Sequence, residues 1–526
     1  MDIDDLIHMN TNIRSLRSYL LLLLFQGLVA GSFGQRINYS EAEREDNRRT
    51  NFEIVGKVGG NFLVFKNNRN ENDISVYDNS MKLIDRVPQN TADERWINVD
   101  FVSYPDYAWM IYQFQRRNII YCNAVKVDGR GKRISEPVML DTTRVAWAAN
   151  NKIYTTLYSE DRKSVMLLKI NNRNSSNFVF TTLLFDSQLQ LRYKHQIGLP
   201  MEDRNEYFTD FLLDNEGNLY FGKFLKRSGS DYVSDVTLIS KESMVEAFQL
   251  VPLKSNEMLD EVKLKIDNNN RRVLLNAFYY MQRRGNIEGL HFWVWDKASQ
   301  SIVLEKEMPF TEEMRTKARN RDANVRTAFN DYLINTVITR KDGGFLLVTE
   351  ASYTTSRGGT YDRWGNRYWN WNNPWMSPMD YYFYSPFYNP YSSFYWDRWN
   401  YGRNPMGNRY HAENIYLFSF DATGGLEWSN VINKAQYDDE SDATISHMVF
   451  ISGSELQVLF NLLERRNLML NNQGVTPDGT INRYPTLKNL DHDIVFLPRF
   501  GRQVSAKSVV IPCLWRNSLI FAKIDF

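Results

Sequence analysis

An all-β fold built from a repeated unit of about four strands is what the 526-residue sequence predicts. Three observations carry that expectation. Apolar stretches are short, β-branched or aromatic, and closely bounded by Asn, Asp and Gly. The bounding turns recur in two types. Successive copies lie ~45 to 70 residues apart, as a four-stranded unit with loops of varying length would give. With a long insert set aside, ~430 residues divide into about seven such units, which is a β-propeller-like architecture with irregular blades. A pair of β-sandwiches or another antiparallel meander is the alternative.

Before the strands begin, Leu20 to Ala30 is the one long apolar run, preceded by Arg14 and Arg17 and followed by Gly31-Ser32-Phe33-Gly34. At ~1.5 Å rise per residue this run is too short to cross ~30 Å of hydrocarbon. A basic flank, a short apolar core and a small-residue exit predict a signal peptide over 1–34, cleaved after Gly34. A short membrane anchor is the alternative. Asp2, Asp4 and Asp5 sit poorly in a basic leader, so Met9 competes with Met1 as the start. The expected location is therefore outside the cytoplasm: periplasmic, associated with the outer membrane or extracellular, with no transmembrane helix in the mature chain. Residues 35–50 are polar and charged and read as a linker, leaving 51–526 as the propeller-like domain.

The strand runs include Phe62-Leu63-Val64-Phe65, Ile119-Ile120-Tyr121, Leu219-Tyr220-Phe221, Val273-Leu274-Leu275 and Phe345-Leu346-Leu347-Val348. Each is too short for a helix, and its residue types suit a half-buried pleated surface. One turn type leads into a strand: Gly59-Gly60-Asn61 into Phe62, Ala149-Asn150-Asn151-Lys152 into Ile153, Asp214 to Asn218 into Leu219, Asp342-Gly343-Gly344 into Phe345, and Gly453-Ser454-Glu455 into Leu456. The other joins two strands at Asp78, Asp128, Asp296 and Asp421. Asp caps such turns with its own carboxylate, and Gly takes φ > 0 without steric cost.

Two segments depart from the pattern. Thr311 to Phe329 reads as a helix after Pro309, with Glu312 and Glu313 in its first turn where the helix dipole favours them. Residues 355–412 form a Tyr/Trp/Asn/Gly/Pro-rich insert. Tyr361 to Tyr401 holds 18 of the chain's 74 aromatics and six of its 13 Trp, with no Ile, Leu or Val. Such a segment lacks aliphatic filling for a core yet is too aromatic for a solvated linker. Trp364, Trp369, Trp371, Trp375, Trp396 and Trp399 suit stacking on sugar rings or a partner surface. Arg363, Arg367 and Arg398 would add planar hydrogen bonds and cation–π contacts. A lid or a ligand-free loop is the plainer reading.

The remaining composition mostly excludes. Lys+Arg 63 against Asp+Glu 62 gives no electrostatic case for a nucleic-acid partner. Two cysteines rule out a disulfide scaffold, although export permits a bridge between Cys122 and Cys513, with two buried thiols as the alternative. No phosphate-binding, dinucleotide, nucleophile-elbow or zinc-protease motif occurs, and no cofactor is expected. Asp491-His492-Asp493 places neighbouring residues on opposite strand faces, unsuited to one ion. The acidic run Asp438-Asp439-Glu440-Ser441-Asp442 could hold calcium but lacks the spacing and turn Gly of a calcium loop. Paired carboxylates from distant strands stay open. Ile520, Ala522 and Ile524 before a terminal Phe526 also allow an outer-membrane barrel strand.

Asp214-Asn-Glu-Gly-Asn-Leu-Tyr resembles the Asp-x-x-Gly-Asn-Leu turn of many bacterial propeller repeats. Asp342-Gly-Gly-Phe and Asp421-Ala-Thr-Gly-Gly-Leu-Glu-Trp428 are similar to turns of secreted propeller-like proteins of Bacteroidota. Leu463-Glu-Arg-Arg-Asn467 and Pro477-Asp-Gly479 are similar to uncharacterised members of that group. The resemblance covers a few dozen residues and implies fold and compartment, with no catalytic residues. The functional expectation is an exported, non-catalytic protein of the cell envelope that binds a protein or glycan. A glycan- or peptide-processing hydrolase with carboxylates in the propeller's central funnel is the alternative, and the barrel is a third.

Overall fold

The computed structural model describes residues 35–42, 50–68, 71–89, 95–145, 152–174, 177–200, 206–226, 232–260, 262–282, 285–319, 324–356, 361–362, 408–439, 442–464, 467–487, 494–516 and 518–526. Within them the strands form seven antiparallel sheets. The nine-stranded sheet consists of two four-stranded units joined through the two-residue strand Met258–Leu259. Eight units result, here blades 1 to 8. Blade 1 is a meander of Thr50–Val58, Asn61–Asn68, Glu71–Tyr77 and Leu83–Pro88. Blades 2, 3, 4 and 7 repeat it over 95–144, 154–200, 206–253 and 447–483. Blade 5 comprises Lys263–Asp267, Arg272–Tyr280, Ile287–Asp296 and Ser301–Pro309. Blade 6 comprises Tyr332–Thr339, Phe345–Ser356, Asn408–Phe420 and Leu426–Ile432. Blade 8 takes Ile494–Phe496 with Arg502–Ser505, then Ser508–Trp515 and Ser518–Asp525; its fourth strand is Arg36–Tyr39, from the other end of the sequence.

The packing shows that these units close into a ring. Eight apolar clusters fill the eight gaps between consecutive blades. The last of these joins Leu497, Val510 and Phe521 of blade 8 to Phe52, Phe62 and Tyr77 of blade 1. First strands neighbour one another around the axis, as Thr50–Val58 does with Arg95–Ser103 and Arg502–Ser505. Second strands are buried on both faces, as in Arg272–Tyr280, while the fourth strand Ser301–Pro309 alternates between exposed and half-buried residues as an outer strand should. The fold is thus β-propeller-like, with the linker expectation over 35–50 giving way at Arg36–Tyr39 to a structural strand.

The two turn types have a shared mechanism. Asp78, Asp128, Asp186 and Asp421 each follow a third strand, and Oδ1 accepts the backbone N–H groups two and four residues on, at 2.8 to 2.9 Å. Asp214 does the same between the first and second strands of blade 4. The residue three positions after the Asp has positive φ: Met81, Gly131, Leu189, Gly217 and Gly424. At Met81 and Leu189 the left-handed backbone costs roughly 1–2 kcal/mol, and both side chains are buried in return.

Several expectations change. The helix spans only Glu312–Ala318, capped by Thr311, whose side chain accepts from Met314 N. Arg319 is extended, which ends the helix, and Asn324 caps a separate 3-10 turn, Val325–Thr327. Cys122 lies in the core between blades 2 and 3 and Cys513 in that between blades 7 and 8. Both are free, buried thiols, pushed well up by burial, so the bridge is not formed. Ile520, Ala522 and Ile524 face the core, and the strands form separate sheets, which rules out the single closed barrel. No helix among the described residues is long and apolar enough to cross a membrane. The signal-peptide residues 1–34, the Asn150-Asn151 turn and Asp491-His492-Asp493 lie outside the described residues.

Candidate functional site

Strand direction alternates within a blade, so turns between strands one and two, and three and four, share one face of the ring. That face is made of the tight Asp- and Gly-bearing turns. Longer connections fall on the opposite face, among them the helix between blades 5 and 6 and the insert between the second and third strands of blade 6. The helix is fixed there by Tyr332, whose hydroxyl donates to Ala318 O at 3.0 Å, and by Asn414 Nδ2 at 3.3 Å from the same oxygen. Beneath it, Phe310 stacks on Phe329 with centroids 3.9 Å apart and on Phe418 at 5.5 Å.

The insert rises from an extended hairpin. Phe345–Ser356 and Asn408–Phe420, 12 and 13 residues, are the longest strands described. Beyond an irregularity at Glu350/Ser352, pairing continues from Ser352↔Ala412 to Ser356↔Asn408, inside the range expected to be insert. Gln436–Asp438 adds a third strand along this extension. Here Tyr353 stacks flat on His411, centroids 4.4 Å apart, and its hydroxyl donates to Glu413 Oε1 at 2.9 Å. Burial, then the nearby Arg409, lowers the His411 pKa and favours its neutral form. Arg409 forms two hydrogen bonds to Asp439, at 2.6 and 3.0 Å, and lies 4.4 Å over the exposed Tyr437 ring. Thus Asp439, and likewise Asp442 through Arg499, is committed to an ion pair, which answers the calcium reading of that run. Trp364, Trp369, Trp371, Trp375, Trp396, Trp399, Arg363, Arg367 and Arg398 lie outside the described residues.

Two groups of buried charges meet between neighbouring blades, the first of them on and beside first strands. Glu53 of blade 1 is enclosed, and Oε2 has no hydrogen-bond partner. Burial, reinforced by Asp100 of blade 2, raises its carboxyl pKa well above the usual range. Asp100 accepts from Thr156 Oγ1 at 2.9 Å, and burial pulls the amine of neighbouring Lys152 down to about 8. Across blades 6 and 7, Glu350 meets Lys434 and His447 Nδ1 at 2.8 Å each, and Ser446 Oγ donates to its other oxygen at 2.6 Å. The Ser446 hydroxyl and His447 Nδ1 are thus both engaged by the Glu350 carboxylate and lie on its separate oxygens.

A fourth cluster sits on the outer rim between blades 4 and 5. His291, on the third strand of blade 5, is 1% exposed and stacks on Trp293 at 3.9 Å. Its Nε2 is 3.2 Å from Glu305 Oε1 and its Nδ1 3.5 Å from Glu257 Oε2. Glu307 lies directly across the strand pair from His291. Sequence reading missed this group. Glu305-Lys306-Glu307 was the available signal, since residues two apart share a strand face; Glu257 came from a connection 34 residues before His291 and carried none.

No family profile and no curated protein matches the chain. Among solved structures it is similar to a puromycin hydrolase, at 12% identity and TM-score 0.35 over 86% of this chain and 54% of that one. It is also similar to prolyl oligopeptidase B of Galerina marginata bound to a 25mer macrocyclization substrate, at 8% and 0.38 over 89% and 56%. Oligogalacturonate lyase in complex with manganese gives 8% and 0.36 over 83% and 98%. The chain spans about half the length of the first two. At such identities no residue role passes from them to this chain.

Proposed function

We propose that this is an exported binding protein of the cell envelope that recognises a protein or glycan through the ring face carrying the long connections. The supporting observation is the hairpin of blade 6, whose strands outrun their blade and lead into the 357–407 segment. A rigid β-stalk holding aromatic residues lowers the ordering cost of recognition, because Trp and Tyr offer large contact area with few rotatable bonds. Trp364, Trp369, Trp371, Trp375, Trp396 and Trp399 are the proposed stacking groups, with Arg363, Arg367 and Arg398 beside them. Periplasmic, outer-membrane-associated or extracellular placement belongs to the same proposal and rests on the 1–34 leader.

The test replaces 357–407 by a short Gly-Ser link and measures binding to defined glycans, peptidoglycan and envelope proteins. Lost binding with an unchanged melting temperature is expected; unchanged binding to every probe sinks the reading. A hydrolase reading is favoured by one observation, the buried Glu53, its carboxyl pKa raised, beside Asp100 and Lys152 near the axis. The same deletion separates the two. Turnover of a glycan or peptide that survives loss of 357–407, and disappears in Glu53→Gln, would move the assignment to the funnel.

A further inference from the structure

We propose that Glu257, His291 and Glu307 form a binding site for a divalent transition-metal ion of the zinc class, in the outer cleft between blades 4 and 5. One ligand atom from each lies within 4.8 Å of the others. A neutral imidazole carries one N–H and one lone pair. Nε2 lies 3.2 Å from Glu305 Oε1, and the buried Nδ1 lies 3.5 Å from Glu257 Oε2 with no hydrogen bond to it. In the tautomer that donates Nε2–H to Glu305, the Nδ1 lone pair and the Glu257 carboxylate face each other, an arrangement that a cation between them would satisfy.

The spacing suits one. Tetrahedral zinc with arms of ~2.0–2.2 Å has ligand–ligand edges of ~3.4 Å, close to the observed separation of Nδ1 and Oε2. Glu307 is exposed, and its carboxylate lies within 4.8 Å of the other two ligand atoms, as the third donor. Water would take the fourth position. Glu305 then holds the far ring N–H, the role outer carboxylates play in fixing a metal-bound histidine. Ser255 Oγ donates to Glu257 Oε2 at 3.0 Å and orients it. Among the described residues, none of Glu257, Glu305 and Glu307 has a Lys or Arg ion-pair partner, and His291 is the basic group beside them. One imidazole with carboxylates favours zinc and its first-row neighbours over calcium or magnesium, which prefer all-oxygen sets.

Bound metal would tie the 253–263 connection to blade 5. The experiment titrates zinc into the chelator-treated full chain by calorimetry and follows the melting temperature. Expected are one equivalent bound and a raised melting temperature, with binding at least ~10-fold weaker in Glu257→Gln and in Glu307→Gln. Both substitutions lie toward the surface, and circular dichroism checks that they fold; His291→Asn is the third variant. Cobalt in place of zinc should give visible absorption that disappears with the same substitutions. No saturable binding, or binding unchanged in the Glu257→Gln/Glu307→Gln double variant, overturns the proposal.

Discussion

Glu350 is enclosed by protein, with the Lys434 amine and the His447 imidazole against one carboxylate oxygen. Burial alone would raise its carboxyl pKa; Lys434 and His447 outweigh that and bring it well below the ordinary 4.5. Lys434 also donates to Gln436 Oε1 at 2.6 Å, so its own burial is matched by polar partners. Lys434→Met leaves the buried carboxylate with His447 and Ser446 as partners and should cost about 3–5 kcal/mol in urea unfolding. The sign with pH follows from proton counts. A carboxyl depressed in the native state binds fewer protons there than in the unfolded chain. Its contribution is full above 4.5 and fades as pH falls through the lower native value. Acid unfolding should therefore be less steep in a Glu350→Gln/Lys434→Met double variant than in the wild type. None of this was legible in the sequence, because Glu350 and His447 are 97 residues apart and only the packing of blade 6 on blade 7 makes them neighbours. The same reason hid His291 and Glu257.

Strands and turns were legible because their causes are local. A carboxylate that caps the N–H groups two and four residues on needs nothing beyond its own turn, and so Asp78, Asp128 and Asp421 could be read directly. The helix was legible only at its start, where Thr311 and two glutamates act within one turn; its end depended on which face found a core. Between elements, Gly129 records a contact that sequence cannot show. A Cβ there would sit 2.5 Å from Val58 O and 2.8 Å from Gly59 Cα, where the turns of blades 1 and 2 touch. Asn61 Nδ2 seals the contact on Gly129 O at 2.9 Å. Gly129→Ala should destabilise by roughly 1–3 kcal/mol through forced separation of two backbones, read as a lower urea midpoint at unchanged slope.

At the scale of the whole molecule, dividing length by repeat suggested about seven units, and hydrogen bonding gives seven sheets that pack as eight blades. The difference has a cause: the final blade borrows Arg36–Tyr39, counted from sequence as linker, and blades 4 and 5 share hydrogen bonds across Met258–Leu259. Arg36 pairs with Asp525, so the break in blade 8 falls where other blades carry their Asp-capped third-to-fourth turn. That placement sets an order of events. Phe521 N reaches Ser40 Oγ across 481 residues of sequence, a search that can end only after the last strand has emerged. Seven blades can form from neighbouring segments, whereas the eighth must wait for the last strand and then recapture the first. Moving residues 35–42 to follow Phe526 would turn that search into an ordinary hairpin. The permuted chain should refold faster to the same ring, and an unchanged refolding rate would mean that closure is not the slow step.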